Sequence, residues 1–414
     1  MTEVDAAVVG AGAAGVAAAR ALADAGLSVL VLEARDRIGG RAWTARIEGH
    51  TADIGCAWLH SADRNPWVPI AESFGLGIDR KLPDWGVHFM RERQLGRAEA
   101  SARGKAFERW WTELDEYAGP DRAWSDLLQA DDPWLPAFAC VNGFISGAGP
   151  DRLSVVDLAR YADTMVNWRV VEGYGTLVER HARGLPIRLS TPVQAIDHRG
   201  CSIVVTTASG PITARTVIVT VPSSVLAAES IRFDPPLPSE KLTAAAQVPL
   251  GHASKLLLTV EGDPFGLEPD RQVLGKPAAS ETAIYHLRFL GRPLVEAYWG
   301  GPLAREMEHA GIGAMGAFAI EELAAIFGEN VRRHLRPALA STWSVEPWSL
   351  GAFSYAVPGG SDARPVLARP IDDRIFFAGE ACSTDHYSTA HGAYLTGLAA
   401  AEAVRRALSH VSSE

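Results

Sequence analysis

Val8-Val9-Gly10-Ala11-Gly12-Ala13-Ala14-Gly15, followed by an alanine-rich run and then Ser28-Val29-Leu30-Val31-Leu32-Glu33, decides the fold of this chain. Residues 4–9 have the pattern of a short buried strand. Residues 14–25 read as a helix stopped by Gly26, and residues 28–32 as a second strand. Strand, helix and strand in so few residues make a βαβ unit, which sets a parallel sheet. The turn between the first strand and the helix reads G-x-G-x-x-G. Gly10 permits the tight turn, Gly12 lets backbone approach a pyrophosphate, and Gly15 lets helix and strand pack closely. Unpaired N–H groups at the helix start then face the phosphates. Glu33, closing the second strand, is placed to accept from a ribose 2′-hydroxyl and to repel a 2′-phosphate.

Directly after Glu33 comes Ala34-Arg35-Asp36-Arg37-Ile38-Gly39-Gly40-Arg41. The glycine pair allows a second close approach of backbone to a cofactor, and Arg41 offers a guanidinium fork to phosphate. An NAD site needs no such second element. The stretch from Leu32-Glu33-Ala34 to Gly39-Gly40-Arg41 resembles the FAD signature of the flavin-containing amine oxidases. That family includes monoamine oxidases, polyamine oxidases and lysine-specific histone demethylases.

Four further stretches carry the resemblance. Phe376-Phe377-Ala378-Gly379-Glu380, then Tyr387-Ser388-Thr389-Ala390-His391-Gly392, resembles the C-terminal flavin motif of polyamine oxidases and the demethylases. It predicts a strand, a turn, and a helix starting near Gly392 and running to Leu408. Monoamine oxidases have an aromatic at the Thr389 position, so one wall of their amine cage is missing here. Asp53-Ile54-Gly55-Cys56-Ala57-Trp58-Leu59-His60 resembles the polyamine-oxidase stretch beside the flavin, with His60 facing substrate. Ser61 departs from the usual glycine. Trp343 through Trp348 to Ala352-Phe353-Ser354-Tyr355 resembles a further motif; Ala352 stands where monoamine oxidases carry the cysteine that bonds the flavin. The cofactor implied is therefore non-covalent FAD, and Phe353 takes the first cage position. Thr216 to Pro222 is a further match. By the same resemblance Ala14 and Val193 join the FAD contacts.

Lys255 lies in the apolar strand 253–260. A charge in such a run is costly unless it meets water or a partner. Either it sits on an edge strand, or it is the family's lysine held near flavin N5 through a water. In the second reading, burial would suit it to handling protons during flavin reoxidation.

The fold expected is α/β: a discontinuous Rossmann-type FAD domain from residues 1–75, 184–240 and 365–414, and an α+β substrate domain from 76–183 and 241–364. Residues 104–182 look mostly helical, residues 193–197, 202–207 and 212–220 read as strands, and 313–327 as an amphipathic helix. The 414 residues are 47% apolar, enough for a full core, and the apolar runs look too short to cross a membrane. The N-terminus shows no signal-peptide pattern. Four cysteines without a CxxC pair fit a reducing cytoplasm and suggest no metal site. A net charge of −10 argues against nucleic acid.

Together these imply an enzyme that oxidises an amine with O2. A hydride equivalent leaves the amine α-carbon for flavin N5, the imine is hydrolysed, and H2O2 is released. Thr389 and His60 favour a polyamine or secondary amine. The rivals are a desaturase-like or protoporphyrinogen-oxidase-like flavoenzyme and a non-catalytic flavin-binding module. Oligomeric state is not encoded in these motifs.

Overall fold

Thr2–Val9 (β1), Ala13–Asp24 (α1) and Val29–Leu32 (β2) form the βαβ unit in the computed structural model, which describes residues 2–83 and 95–411. β1 and β2 pair in parallel, with Ala6 opposite Val29 and Val9 opposite Leu32. β1 is buried on both faces, as expected where helices cover a parallel sheet. Ala6 and Val8 join the core beneath α1, while Ala7 and Val9 join the core on the other face with Val217 and Phe377.

Among the described residues this sheet has eight strands. Gly210–Val219 is its long central member. One edge of it pairs with β1. Its other edge is shared: residues 210–214 pair antiparallel with Ile203–Thr207, and residues 217–219 pair parallel with Ile375–Phe377. The sheet is thus mixed, a parallel centre extended by an antiparallel meander that includes Val193–Asp197. Residues from the two ends and the middle of the chain share it.

Close backbone packing fixes α1. A Cβ on Gly15 would stand 1.9 Å from the Gly10 carbonyl oxygen. On its other side α1 packs against the C-terminal helix Ala390–Val411, where a Cβ on Gly397 would stand 2.2 Å from the Ala14 oxygen. Both glycines are therefore needed for the helix to be sandwiched there.

A five-stranded antiparallel sheet holds Lys255. Its order is Arg271–Leu274, Ile284–Leu287, Leu294–Gly300, Ala253–Val260, Leu335–Ala340. Ala253–Val260 has a neighbour on each side, so the edge-strand reading of Lys255 is corrected. Alternation gives this sheet two unlike faces. Leu256, Leu258, Val295, Ala297, Tyr285 and Leu287 form one, packed on the helix Gly301–Phe327. Lys255 and Leu257 point the other way, with Glu296, Tyr298 and His286 on the paired strands.

Gly301–Phe327 starts twelve residues before the expected 313, and Gly311 (φ 83°) breaks it within. By length and composition it could cross a membrane, contrary to the expectation of short apolar runs. Here it is the helix that covers the second sheet. Residues 104–182 are helical only in part: Arg97–Asp115, Leu135–Ser146, Val155–Ala159 and Tyr174–His181 are interrupted by irregular chain and by the strand Trp168–Val170.

Candidate active site

Gly10 takes φ 106° at the mouth of β1, and the chain turns into α1 with Gly12 as its extended cap. Gly12 lies against the second glycine pair: a bridge joins it to Gly39, and the Gly39 amide donates to the Ala11 carbonyl at 2.9 Å. A Cβ on Gly12 would meet only Gly39 and Gly40 backbone, at 3.9 Å. Gly39 and Gly40 both have positive φ, at 102° and 59°. The two loops quoted from sequence thus form one backbone cradle.

Glu33 is 3% exposed beside it. Its carboxylate accepts from the Ala11 amide at 2.7 Å and the Arg35 amide at 2.9 Å. A carboxylate has about four acceptor positions, so capacity for a ribose hydroxyl remains. Arg35 donates to Glu346 at 2.5 Å, while its Nη2 is buried with no partner. Ala34 is half-buried alongside. Val193 is buried in its strand under the adjoining face of the sheet.

Arg41 reaches across the molecule. Its Nη1 donates to the Ala352 carbonyl and to Glu380, each at 2.8 Å. Glu380 also accepts from the Ser354 hydroxyl at 2.6 Å and the Ser388 amide at 2.9 Å. Burial pushes the Glu380 carboxyl up, but Arg41, Ser354 and Arg364 outweigh that and hold it below the usual carboxylate range. Behind it Arg364 forms a buried two-pronged pair with Asp157 at 2.8 and 2.9 Å. Gly379, with φ 144°, faces open space: an added Cβ would find no atom within 4 Å. Arg41, Val221, Pro222, Gly379 and Glu380 line a cleft there.

Asp53, Cys56 and His60 are half-buried on one short stretch of chain. Burial raises the Asp53 carboxyl despite bonds from Thr44 and the Tyr174 amide. Burial also pushes the Cys56 thiol up to about 12, which makes it no nucleophile near neutral pH. Gly55 is pressed on Arg41 backbone; its Cβ would stand 1.8 Å from that carbonyl oxygen. Ala57 is half-buried, and Trp58 is stacked 6.3 Å from His286 with Arg169 over its ring at 5.1 Å.

His60 shares a 2.7 Å hydrogen bond between Nδ1 and Asn167 Oδ1. Desolvation lowers its pKa, with the Asn167 bond opposing. Lys255 Nζ is 2.9 Å from Glu296 and donates to the Asp53 carbonyl at 3.1 Å. So the lysine and the 53–60 stretch meet. Phe353 and Tyr298 pack with Leu257 and Trp343 in the same cluster, and Trp348 is half-buried on the neighbouring loop. Thr389 caps the C-terminal helix: it accepts from the Gly392 amide at 2.9 Å and donates to the His386 carbonyl. The helix consequently begins at Ala390, two residues before the expected start, and the Ala390 carbonyl accepts from Trp67 Nε1.

Sequence reasoning missed Glu296, Asn167 and the Asp157–Arg364 pair. Glu296 had a signal, a carboxylate within Leu294-Val295-Glu296-Ala297-Tyr298, the mirror of Lys255 in its own apolar strand. Asn167 had none, being tied to His60 only through the fold.

A mixed α/β sheet whose first strand turns through a glycine cradle into a helix, joined to an antiparallel sheet that sets Lys255 against Asp53, defines a dinucleotide-binding protein of two-sheet architecture. The family model for flavin-containing amine oxidoreductases matches residues 13–138 and 86–405, and the chain belongs to that family. It is 30% identical to polyamine oxidase 4 of Oryza sativa subsp. japonica, over 96% of this chain and 88% of that protein. It is 29% identical to lysine-specific histone demethylase 1B of Mus musculus, over 94% of this chain and 52% of that protein. A redesigned putrescine oxidase of solved structure shares the fold, with a TM-score of 0.80 and 22% identity, covering 98% of this chain and 99% of that one. The enzyme is accordingly an FAD-dependent amine oxidoreductase. The open cradle at Gly12, the unpartnered Arg35 nitrogen and the space before Gly379 fit such a cofactor.

Proposed function

We propose that this chain is an amine oxidase of the polyamine type, acting on a polyamine or secondary amine with O2 as electron acceptor. FAD, when bound, supplies the redox step, taking a hydride equivalent from the amine α-carbon and passing two electrons to O2 to give H2O2. Hydrolysis of the resulting imine then yields an aldehyde or ketone and an amine.

The observation that carries this reading is the bond from Lys255 to the Asp53 carbonyl, which ties the lysine to the stretch that ends in His60. In this account Gly55 to Trp58 runs beside the flavin, and Glu33, Arg35 and the Gly12 and Gly39–Gly40 loops hold its dinucleotide end. Arg41 and Glu380 brace each other at its middle. His60, kept neutral by desolvation and oriented by Asn167, meets the substrate nitrogen without repelling a cation. Phe353 gives one aromatic wall, while Thr389 leaves the opposite side open for a chain on both sides of the reacting nitrogen. Orientation is the main contribution of the protein. Ala352 leaves the flavin non-covalent.

Peroxide release across spermidine, putrescine, benzylamine and phenylethylamine tests the proposal. Spermidine is expected to give the highest kcat/KM. A preference for either arylalkylamine would contradict the polyamine reading.

A further inference from the structure

Lys255 is not alone on its face of the second sheet. Residue pairing sets Lys255 opposite Tyr298 and Leu257 opposite Glu296, so Glu296 lies diagonal to the lysine on the same face. Such a diagonal lies within reach of a long side chain. Nζ and the Glu296 carboxylate are 2.9 Å apart, with the two side chains 10% and 17% exposed. The Asp53 carbonyl receives a second bond at 3.1 Å. Each is the one charged residue of its strand, so neither charge has a packing reason to be there. Each is tolerable because the other is present.

We propose that Glu296 is the positioning residue for Lys255: it anchors the nitrogen between its own carboxylate and the Asp53 backbone, so that a cation stands at the flavin-facing side when O2 is reduced. This rests on the reading above that Lys255 faces the flavin. Forming H2O2 from O2 takes two electrons and two protons. A fixed ammonium favours negative charge developing on oxygen and keeps a proton at hand. An ammonium has three N–H donors, so the two anchors, a carboxylate and a carbonyl, leave capacity for a further acceptor.

Tyr298, opposite the lysine, donates its hydroxyl to the Phe144 carbonyl at 2.8 Å, and burial with the nearby Glu296 raises its pKa. The Asp53 carboxylate is turned to Thr44 and to the Tyr174 and Gly175 amides. Cys56 lies nearby with its thiol protonated. His286, across from Glu296 on the next strand, is engaged by Asp270 at 3.2 Å. Among the described residues Glu296 is thus the carboxylate in contact with the lysine.

Glu296→Gln keeps shape and removes the charge; Glu296→Asp keeps the charge on a shorter arm. Stopped-flow reoxidation of the reduced holoenzyme by O2 is followed from pH 6 to 10 in both, beside Lys255→Met. In Glu296→Gln, reoxidation should slow about tenfold at the basic end, with the pH dependence displaced to lower pH. Glu296→Asp should recover most of it. Labelled-lysine 13Cε–15Nζ NMR gives a readout apart from turnover. The signal lost in Lys255→Met should titrate at lower pH in Glu296→Gln than in the parent. If Lys255→Met reoxidises like the parent, the lysine reading itself fails. If Lys255→Met is slow but Glu296→Gln keeps the parental pH profile and lysine signal, only the role of Glu296 is overturned.

Discussion

Arg41 and Glu380 are 339 positions apart in the chain and 2.8 Å apart in space. Arg41 closes the N-terminal FAD signature and Glu380 belongs to the C-terminal flavin motif, and their ion pair ties the two. Arg41 also donates to Ala352, so one guanidinium joins three separate motifs.

Glu380→Gln should therefore cost both stability and cofactor. Removing one partner of a buried pair costs about 3–5 kcal/mol, but Arg41 is partly exposed and keeps Ala352, so roughly 1–3 kcal/mol is expected. Denaturant unfolding of the apoprotein measures the first loss, and fluorescence titration with FAD the second. Unchanged values in both would remove the pair from the account. Because the folded carboxyl is held low, its contribution is complete above the ordinary carboxylate range and is lost as pH falls through the lowered value.

Glu33→Ala should weaken FAD binding by about 1–3 kcal/mol, the worth of a hydrogen bond to a charged group. Two amides, Ala11 and Arg35, lose their acceptor with it, so loop order should fall as well. Glu33→Gln separates the effects, because its oxygen still accepts. Equal FAD affinity in all three proteins would place the ribose elsewhere.

Acid precipitation should release all the flavin as FAD, since Ala352 offers no sulfur for a bond to it. Yellow colour retained in the washed precipitate would contradict this.

His391 gives a pH prediction. Burial, His386, His60 and Arg64 lower its pKa to about 3, and its Nε2 is buried without a partner. A lowered histidine binds its proton more readily when unfolded, so stability is full above the unfolded pKa near 6.5 and falls as pH drops toward the folded value. Between pH 6.5 and 5 this amounts to about 2 kcal/mol. Glu308, raised to about 7 by burial, acts with the opposite sign in that window. Hence the comparison of parent with His391→Gln is the informative one: the variant should lose about 2 kcal/mol less on acidification. Parallel stability curves would refute it.

The parts of this site legible in sequence are those built from local chain. Gly10, Gly12, Gly15 and Glu33 act within one βαβ unit, so their spacing alone carries the geometry. Lys255 was visible as a charge in an apolar strand, yet its neighbours were not, because antiparallel pairing depends on residues forty positions away, such as Glu296. For the same reason the sequence leaves an edge position open for a strand that is flanked on both sides. Arg41 reads as a phosphate ligand from its place after Gly39-Gly40; its bond to Glu380 is invisible until the ends of the chain meet. Thr389 was read for what it lacks, an aromatic ring, whereas its hydroxyl caps the following helix.

Anaerobic mixing of the FAD-loaded enzyme with spermidine, followed by admission of O2, tests the central claim most directly. The account predicts that the flavin absorbance near 450 nm bleaches and then returns, with peroxide formed in equal amount. A flavin that stays oxidised with spermidine and with every other amine offered would contradict it.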